Sequence, residues 1–328
     1  MIRLSVIVPV YNVESYISKC LNSVLSNGMD LGTFEIIVVD DESTDSSIDI
    51  VKKTAENHES IVIISQKNKG LGGARNTGIA HSKGAYIVFL DADDWYLPGT
   101  LNQLLSISDA FSLDVLEFGA QGIATDGQIK YTRALTSKEP LTGMQYYQEN
   151  RYLDSACNKM YRSGFIKNWN FRFQEKIYIE DFEFNSRIFH KAIKVLGTDL
   201  IVAQFLQSPN SITRNTNGNM HVKMQEDIIT VIKLVNSYSK PHMVVKNSIE
   251  TKYFSQRLSY LTATLFFQLL KKGYSYSEML TLKKRLQAEQ IFFIDHHIFD
   301  KKKELFRTIF LKNFSLMRLG TLIYRFTV

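Results

Sequence analysis

Within its first ninety residues the chain carries four short apolar runs, each followed by a polar cluster and then, for the first three, by a segment with helical spacing. Leu4–Val10, Phe34–Asp40, Ile61–Ser65 and residues 85–90 are rich in Val, Ile, Leu and Phe and lack the polar alternation of a half-exposed strand. Such runs suit strands covered on both faces, as in a parallel sheet. Between them, residues 14–26 place Tyr16, Ile17, Leu21, Val24 and Leu25 at helical spacing. Residues 46–56 read as a second helix, with Ser43, Thr44 and Asp45 as cap candidates. A Gly-rich loop over 70–73 is expected to lead into a third helix over 74–81. This rhythm specifies an α/β fold with a mostly parallel central sheet and helices on its faces.

Further along, residues 114–118 and 200–205 read as strands and 179–192 as a helix. Beyond about residue 216 the pattern turns helical, over 224–239, 248–272 and 277–289. The expected organisation is therefore a domain over 1–215 and a helical C-terminal region over 216–328. Hydrophobic residues make up 45% of the 328, which excludes a disordered or fibrous chain. Cys20 and Cys157 are the two cysteines, too few for a disulfide framework and without zinc spacing, so a reducing compartment is expected. MIRLSVIVPVYN reads as a strand rather than a leader peptide. No apolar run approaches the roughly 18 residues needed to span a bilayer. The expected location is cytoplasmic, with peripheral contact at the inner membrane face left open.

Three polar clusters fall at carboxyl ends of the expected strands, where parallel sheets bind ligands. They are Pro9, Val10, Tyr11 and Asn12; Asp40, Asp41, Glu42 and Ser43; and Asp91, Ala92, Asp93 and Asp94. One such cluster alone would read as a turn. Three on one edge favour a site. Crowded carboxylates raise one another's pKa unless a cation is bound, and a hard divalent ion, Mg²⁺ or Mn²⁺, resolves the conflict. The segment from Lys67 to Asn76 opens a helix after the third strand, where backbone N–H groups and the helix dipole attract anions, with Lys67 and Arg75 adding charge. It is not a dinucleotide fingerprint, because Arg75 stands where the third glycine belongs, and it lacks the P-loop ending. A flexible surface loop is the competing reading.

The strings LSVIVPVYN, EIIVVDDESTDSS and NKGLGGARNTGIAHSKGAYIVFLDADD together resemble the nucleotide-sugar domain of family-2 glycosyltransferases of the GT-A fold. The resemblance covers about residues 3–105. It continues more weakly through NKMYRSGFI (158–166), IYIEDFEFNSRIF (177–189) and SPNSITRN (208–215). It implies a nucleotide-sugar site built from Pro9, Tyr11, Asp40, Asp41, Lys67, Gly72, Arg75, Asp91, Ala92 and Asp93. Within it, Pro9, Tyr11 and Asp41 face the base. Asp91-Ala92-Asp93 matches the family's DxD motif, with Asp93 and Asp91 as metal ligands and Asp94 as a further candidate. Asp181, in the segment matching the family's ED motif, is implied as the catalytic base; Glu180 and Glu183 are the runners-up. An Asp at a helix start also favours the dipole for purely structural reasons. On a helix Glu180 and Glu183 share a face, and Asp181 points about 100° away. Glu42 replaces the family's usual glycine, which implies a different local turn. Arg214, His221, Trp95 and Lys159 are weaker candidates.

The reaction implied is an inverting, metal-dependent transfer of a sugar from a nucleoside-diphosphate donor, with UDP expected. The acceptor is a hydroxyl of a glycan or lipid-linked glycan in surface polysaccharide synthesis. A sugar nucleotidyltransferase and a non-catalytic glycan-binding scaffold are the alternatives. Formal charge is +6, and the excess is local: residues 301–328 hold seven basic residues against Glu304, and the rest of the chain balances. Interleaved with apolar residues, those cations suit either an interfacial helix on anionic lipid or a helix docked on the protein's own core. No nucleic-acid-binding motif accompanies them.

Overall fold

The computed structural model describes residues 1–150, 154–208 and 218–327, and the chain divides into two compact units, Met1–Asn217 and Gly218–Val328. In the first unit the order is β1 (Leu4–Val10), α1 (Ile17–Leu25), β2 (Phe34–Asp40), α2 (Ser47–Ala55), β3 (Ile61–Ser65), α3 (Gly70–His81) and β4 (Tyr86–Phe89). Then come β5 (Trp95–Tyr96), α4 (Thr100–Phe111), β6 (Val115–Ile123), β7 (Ile129–Arg133), α5 (Gly143–Glu149) and β8 (Lys159–Arg162). The unit closes with α6 (Ser163–Asn168), α7 (Glu180–Lys191) and β9 (Val195–Leu206).

One sheet runs β3-β2-β1-β4-β8-β6-β9-β5, with β7 added beside β6. Its first four strands are parallel, as is the long β6–β9 pair, so most paired positions are parallel as expected. Strands β8, β5 and β7 join antiparallel. All seven residues of β1 and of β2 are buried, which accounts for their unbroken apolar character. A Cβ at Gly78 would lie 2.3 Å from the Ile7 side chain, so this glycine lets α3 lie directly on β1. Pro9 is tolerated in a central strand because β4 pairs with β1 only as far as Ile7↔Phe89. Its missing N–H therefore interrupts no bond to β4.

The order of connection matters for the site. From β1 the chain moves outward through β2 and β3, then returns to the other side of β1 for β4. The carboxyl ends of β1 and β4 therefore flank a reversal point, where α/β sheets leave a crevice. The expected Gly-rich loop differs from the structure: Gly70–Gly73 form the first turn of α3.

The second unit is helical: α8 (Gly218–Ser239), a 3₁₀ turn at Lys240–His242, α9 (Ile249–Lys271) and α10 (Tyr276–Ala288). It ends with α11 (Lys301–Phe306), a π turn (Arg307–Leu311), a 3₁₀ turn (Phe314–Leu316) and α12 (Met317–Thr327). Ser248 caps α9 and a Ser275/Glu278 capping box starts α10, satisfying N–H groups that helix ends leave open.

Candidate functional site

The strand-end segments are fastened to one another by side chain to backbone bonds. After β1, Asn12 takes a left-handed conformation (φ 52°), and its Oδ1 accepts the Thr44 N–H at 2.8 Å. Val13 donates to Ser47 Oγ at 2.8 Å. Asp45 accepts the Glu14 N–H at 3.0 Å, and Glu14 accepts the Ser46 N–H at 2.9 Å. Tyr11 is left 52% exposed at the end of β1, beside buried Pro9.

Asp40 and Asp41 are both buried, and each has a donor. Asp40 accepts the Ser43 N–H at 2.9 Å. Asp41 Oδ1 accepts from Gln66 Nε2 at 2.7 Å and from the Lys69 N–H at 2.8 Å. Asn68 Oδ1 accepts the Gly70 N–H at 3.2 Å. At the start of α3, expected to be open to an anion, the N–H groups of Lys69 and Gly70 thus already meet the chain's own acceptors. Lys67 is exposed beside it. Gly72 is a glycine because of close packing: a Cβ there would lie 2.1 Å from the Gln174 carbonyl oxygen. Glu42 corrects another expectation. It adopts φ +71°, so the left-handed turn is kept without glycine, and its carboxylate accepts the Asn68 N–H at 3.2 Å.

Arg75 joins the two acidic motifs. Expected to add positive charge for an anion at the start of α3 within the nucleotide-sugar site, it is buried, donating to Asp91 Oδ1 at 2.8 Å and to Glu180 Oε1 at 2.5 Å. The same nitrogen that meets Asp91 lies 3.5 Å from Cys157 Sγ, and the Phe173 ring packs 5.3 Å from the guanidinium carbon. This side chain anchors the segment after β4 to the first turn of α7. Ile179, immediately before α7, takes φ +55°, a strained conformation for a β-branched residue that turns the chain sharply into Glu180-Asp181.

The carboxylates here divide by their hydrogen bonds. Asp94 is buried and accepts the Leu206 N–H at 2.7 Å, tying the segment to β9; burial, then Asp93 and Asp91, push it well above the usual range. Glu183 is buried and held by Arg187 at 2.6 and 2.7 Å. Glu180 is raised by burial and pulled back by Arg75. Asp93 accepts no hydrogen bond from another described residue, and burial with the neighbouring Asp91 charge pushes it up to about 6. Asp181 is partly exposed and accepts only the adjacent Phe182 N–H, at 2.8 Å; burial and then Glu180 raise it to about 7. Sequence reading did not find Gln66, Cys157 or Asp154, whose charge also raises Asp181.

Among the described residues, no three His, Cys, Asp or Glu side chains converge on a metal-sized point. The donor set nevertheless fits a hard cation. Asp93, crowded by Asp91 and accepting from no other described residue, could serve as an oxygen ligand to Mg²⁺ or Mn²⁺, ions that take further ligands from water and phosphate. Ala92 is buried between them.

The weaker candidates resolve differently. Lys159 is neither a solvated charge nor exposed toward an acceptor: it is fully buried, donating to Ser155 O at 2.7 Å and Asn158 Oδ1 at 2.9 Å, 3.6 Å from Glu117. Trp95 is half-buried, bonded to Gln204 at 2.6 Å with Lys19 Nζ 3.0 Å over its ring. His221 lies in α8 of the second unit, and Arg214 lies outside the described residues.

A reversal-point sheet edge with an acidic turn after β4, tied through a buried arginine to an acidic helix start, defines a GT-A-type protein. The sequence pattern described as Glycosyl transferase family 2 matches residues 5–169. The chain belongs to that family. It is 33% identical over 216 residues to the uncharacterized glycosyltransferase EpsJ of Bacillus subtilis (strain 168), covering 64% of this chain and 62% of that relative. The chain spans about three-fifths of the length of the first curated relatives it matches. Among solved structures, S. aureus TarS 1–349 in complex with UDP-GlcNAc superposes with a TM-score of 0.61 at 21% identity, covering 80% of this chain and 82% of TarS. The mannosyltransferase PcManGT from Pyrobaculum calidifontis, with GDP-Man and Mn²⁺, gives 0.54 at 14% identity, covering 98% and 86%. These two likenesses bear on the fold.

Proposed function

We propose that the chain is an inverting, metal-dependent glycosyltransferase that moves a sugar from a UDP-sugar to a hydroxyl of a glycan or lipid-linked glycan during cell-surface polysaccharide synthesis. The observation that carries this reading is the Asp91–Arg75–Glu180 bridge, which fixes the acidic turn after β4 against the helix whose first two residues are Glu180 and Asp181. Family membership and the UDP-GlcNAc complex of TarS support the donor class. Asp93 and Asp91 would hold the divalent ion, which offsets the charge of a nucleoside-diphosphate leaving group when bound.

Asp181 takes the proton of the acceptor hydroxyl as its oxygen attacks the anomeric carbon from the side opposite the diphosphate. The bond from the anomeric carbon to the diphosphate oxygen breaks, its electron pair leaves with the nucleotide, and the configuration inverts. A base poised at about 7 suits this task. Arg75 never touches substrate in this scheme; it keeps Glu180 and Asp91 in register and confines ionisation of Glu180 to a paired state. Tyr11, Pro9 and Asp41 line the base end, with Lys67 exposed beside them.

The test is release of UDP from a panel of UDP-sugars with Mn²⁺ and a lipid-linked glycan acceptor pool. Turnover by wild type with loss in both Asp93→Asn and Asp181→Asn supports the assignment. Undiminished turnover in both variants removes it, and pyrophosphate release from a nucleoside triphosphate would mark a nucleotidyltransferase instead.

A further inference from the structure

The C-terminal segment of the second unit has two apolar faces. Phe306, Leu311, Phe314 and Met317 form the inner one, all buried. Phe306 meets Phe267 of α9 with ring centroids 5.2 Å apart, and Phe314 meets Phe266 of α9 at 5.7 Å. Gly320 of α12 sits against Phe310, with a Cβ placed there only 3.1 Å from the ring. Both α11 and the segment leading into α12 therefore lean on α9, and each turns its other side away from it. Docking on the protein's own core, one of the two expectations for this region, is met by the inner face alone.

The outer face is not polar. Leu305, Ile309, Leu316, Leu319 and Leu322 are 61, 38, 38, 55 and 50% exposed. Spacings of three and four residues put Leu305 with Ile309, and Leu316 with Leu319 and Leu322, on common faces. Lys301, Lys302, Lys312 and Arg318 are exposed among them. The segment's acid is withdrawn: Glu304 is held by Arg307 at 2.6 Å and by the Ile298 N–H at 3.0 Å. Lys303 turns to the Tyr260 hydroxyl at 2.6 Å. Within 301–322 the charged residues that are fully on the surface are all basic, and Glu304 keeps 21% of its side chain exposed. No helix among the described residues is long and apolar enough to cross a membrane.

We propose that this outer face docks on the surface of an anionic lipid bilayer, with the leucines and Ile309 at the acyl boundary and Lys301, Lys302, Lys312 and Arg318 at the headgroups. An apolar stripe rimmed by cations is complementary to that surface and to few others. A second copy of the same face would set cations against cations, which disfavours self-association as its use. The proposal stands apart from the reaction chemistry, and its failure would leave the transferase reading intact.

The experiment is co-sedimentation of the full chain with extruded vesicles, either neutral phosphatidylcholine or phosphatidylcholine with 30 mol% phosphatidylglycerol. Each cation near an anionic surface contributes about fivefold in partitioning. Lys301→Glu/Lys302→Glu/Lys312→Glu should therefore lower binding to the anionic vesicles by about 100-fold or more. Leu305→Ser/Leu319→Ser should lower it at least tenfold with only a small fall in melting temperature, because these two leucines are the most exposed of the face, at 61 and 55%. Lys52→Glu/Lys53→Glu, exposed on α2, lowers total charge without touching this face and should bind as wild type. Equal binding to both vesicle types, no binding by wild type, or losses as large in the α2 variant would overturn the proposal. So would a wild-type dimer that becomes monomeric in the leucine variant, which would assign the face to self-association. Donor hydrolysis measured on every variant keeps this outcome separate from the catalytic one.

Discussion

Arg75→Met tests whether one buried cation holds the site together. The substitution keeps an unbranched side chain and removes the guanidinium that bridges Asp91 and Glu180. Breaking a buried ion pair from one side costs about 3–5 kcal/mol, because the remaining charge is stranded. Asp91's side chain is 32% exposed and can recover water, whereas that of Glu180 is 6% exposed and cannot. The estimate therefore rests on Glu180, at the lower end of that range, about 3 kcal/mol. For a unit of this size that is a fall of roughly 6–12 °C in melting temperature. The pH dependence follows from the direction of the shift. Glu180 is raised by burial, and without Arg75 it rises further. A raised carboxyl costs stability when it must ionise, so the deficit is full at pH 8 and shrinks as pH falls toward the ordinary value of 4.5. Chemical denaturation of wild type, Arg75→Met and Arg75→Met/Glu180→Gln at pH 8 and 5.5 measures all of this. The double variant should regain about half or more of the loss at pH 8. A loss under 1 kcal/mol, a deficit independent of pH, or no rescue by Glu180→Gln would refute the reasoning.

Three further outcomes are expected. Asp181→Asn should lower kcat by about 10²–10⁴-fold. The wild-type kcat/KM should rise with pH through a midpoint near the raised value of about 7, and a flat profile from pH 5.5 to 8.5 would speak against Asp181 as base. Chelation with EDTA should abolish transfer reversibly, and Asp93→Asn should bind Mn²⁺ at least tenfold more weakly by calorimetry while melting no lower than wild type in EDTA, since burial already disfavours its charge. Glu42→Gly should gain about 0.5–1 kcal/mol, because glycine takes φ +71° without strain and this outweighs the loss of one exposed hydrogen bond; destabilisation by this change would show that the Asn68 contact outweighs the backbone strain.

The strands of the parallel half were legible because each is an apolar run buried on both faces, a pattern no exposed element shares. The edge carrying the polar clusters followed from topology. What the sequence hid were distant partnerships. Nothing in GARNTG says that Arg75 turns inward; that depends on Glu180, 105 residues away, and on Phe173 packing over it. The glycines of 70–73 suggested an anion cradle, yet Gly72 answers to the Gln174 carbonyl, a contact set by a segment a hundred residues later. Lys159 reads as either acceptor-side or solvated charge, because composition cannot show Ser155, Asn158 and Glu117 closing around its ammonium. Strand β8, with the sequence KMYR, lacks the apolar signature and forms because β4 and β6 accept it between them.

The carboxylates of the site carry a sharper lesson than their number. Asp40, Asp41, Asp94, Glu180 and Glu183 each have a donor from elsewhere in the chain, and these bonds fasten loops and helix ends. Among the described residues, Asp93 accepts from no other residue and Asp181 only from the next N–H, and burial with a neighbouring carboxylate pushes these two up to about 6 and about 7. A fold that satisfies its structural acids while leaving two under-served has placed charge where it costs stability. In the proposed mechanism, a cation at Asp93 and an acceptor proton at Asp181 would offset that cost during function. The division separates acids fastened by a donor from acids left without one. Of the positions that the DxD and ED motifs suggested, it picks out Asp93 and Asp181, whereas Asp91 and Asp94 carry donors from Arg75 and Leu206.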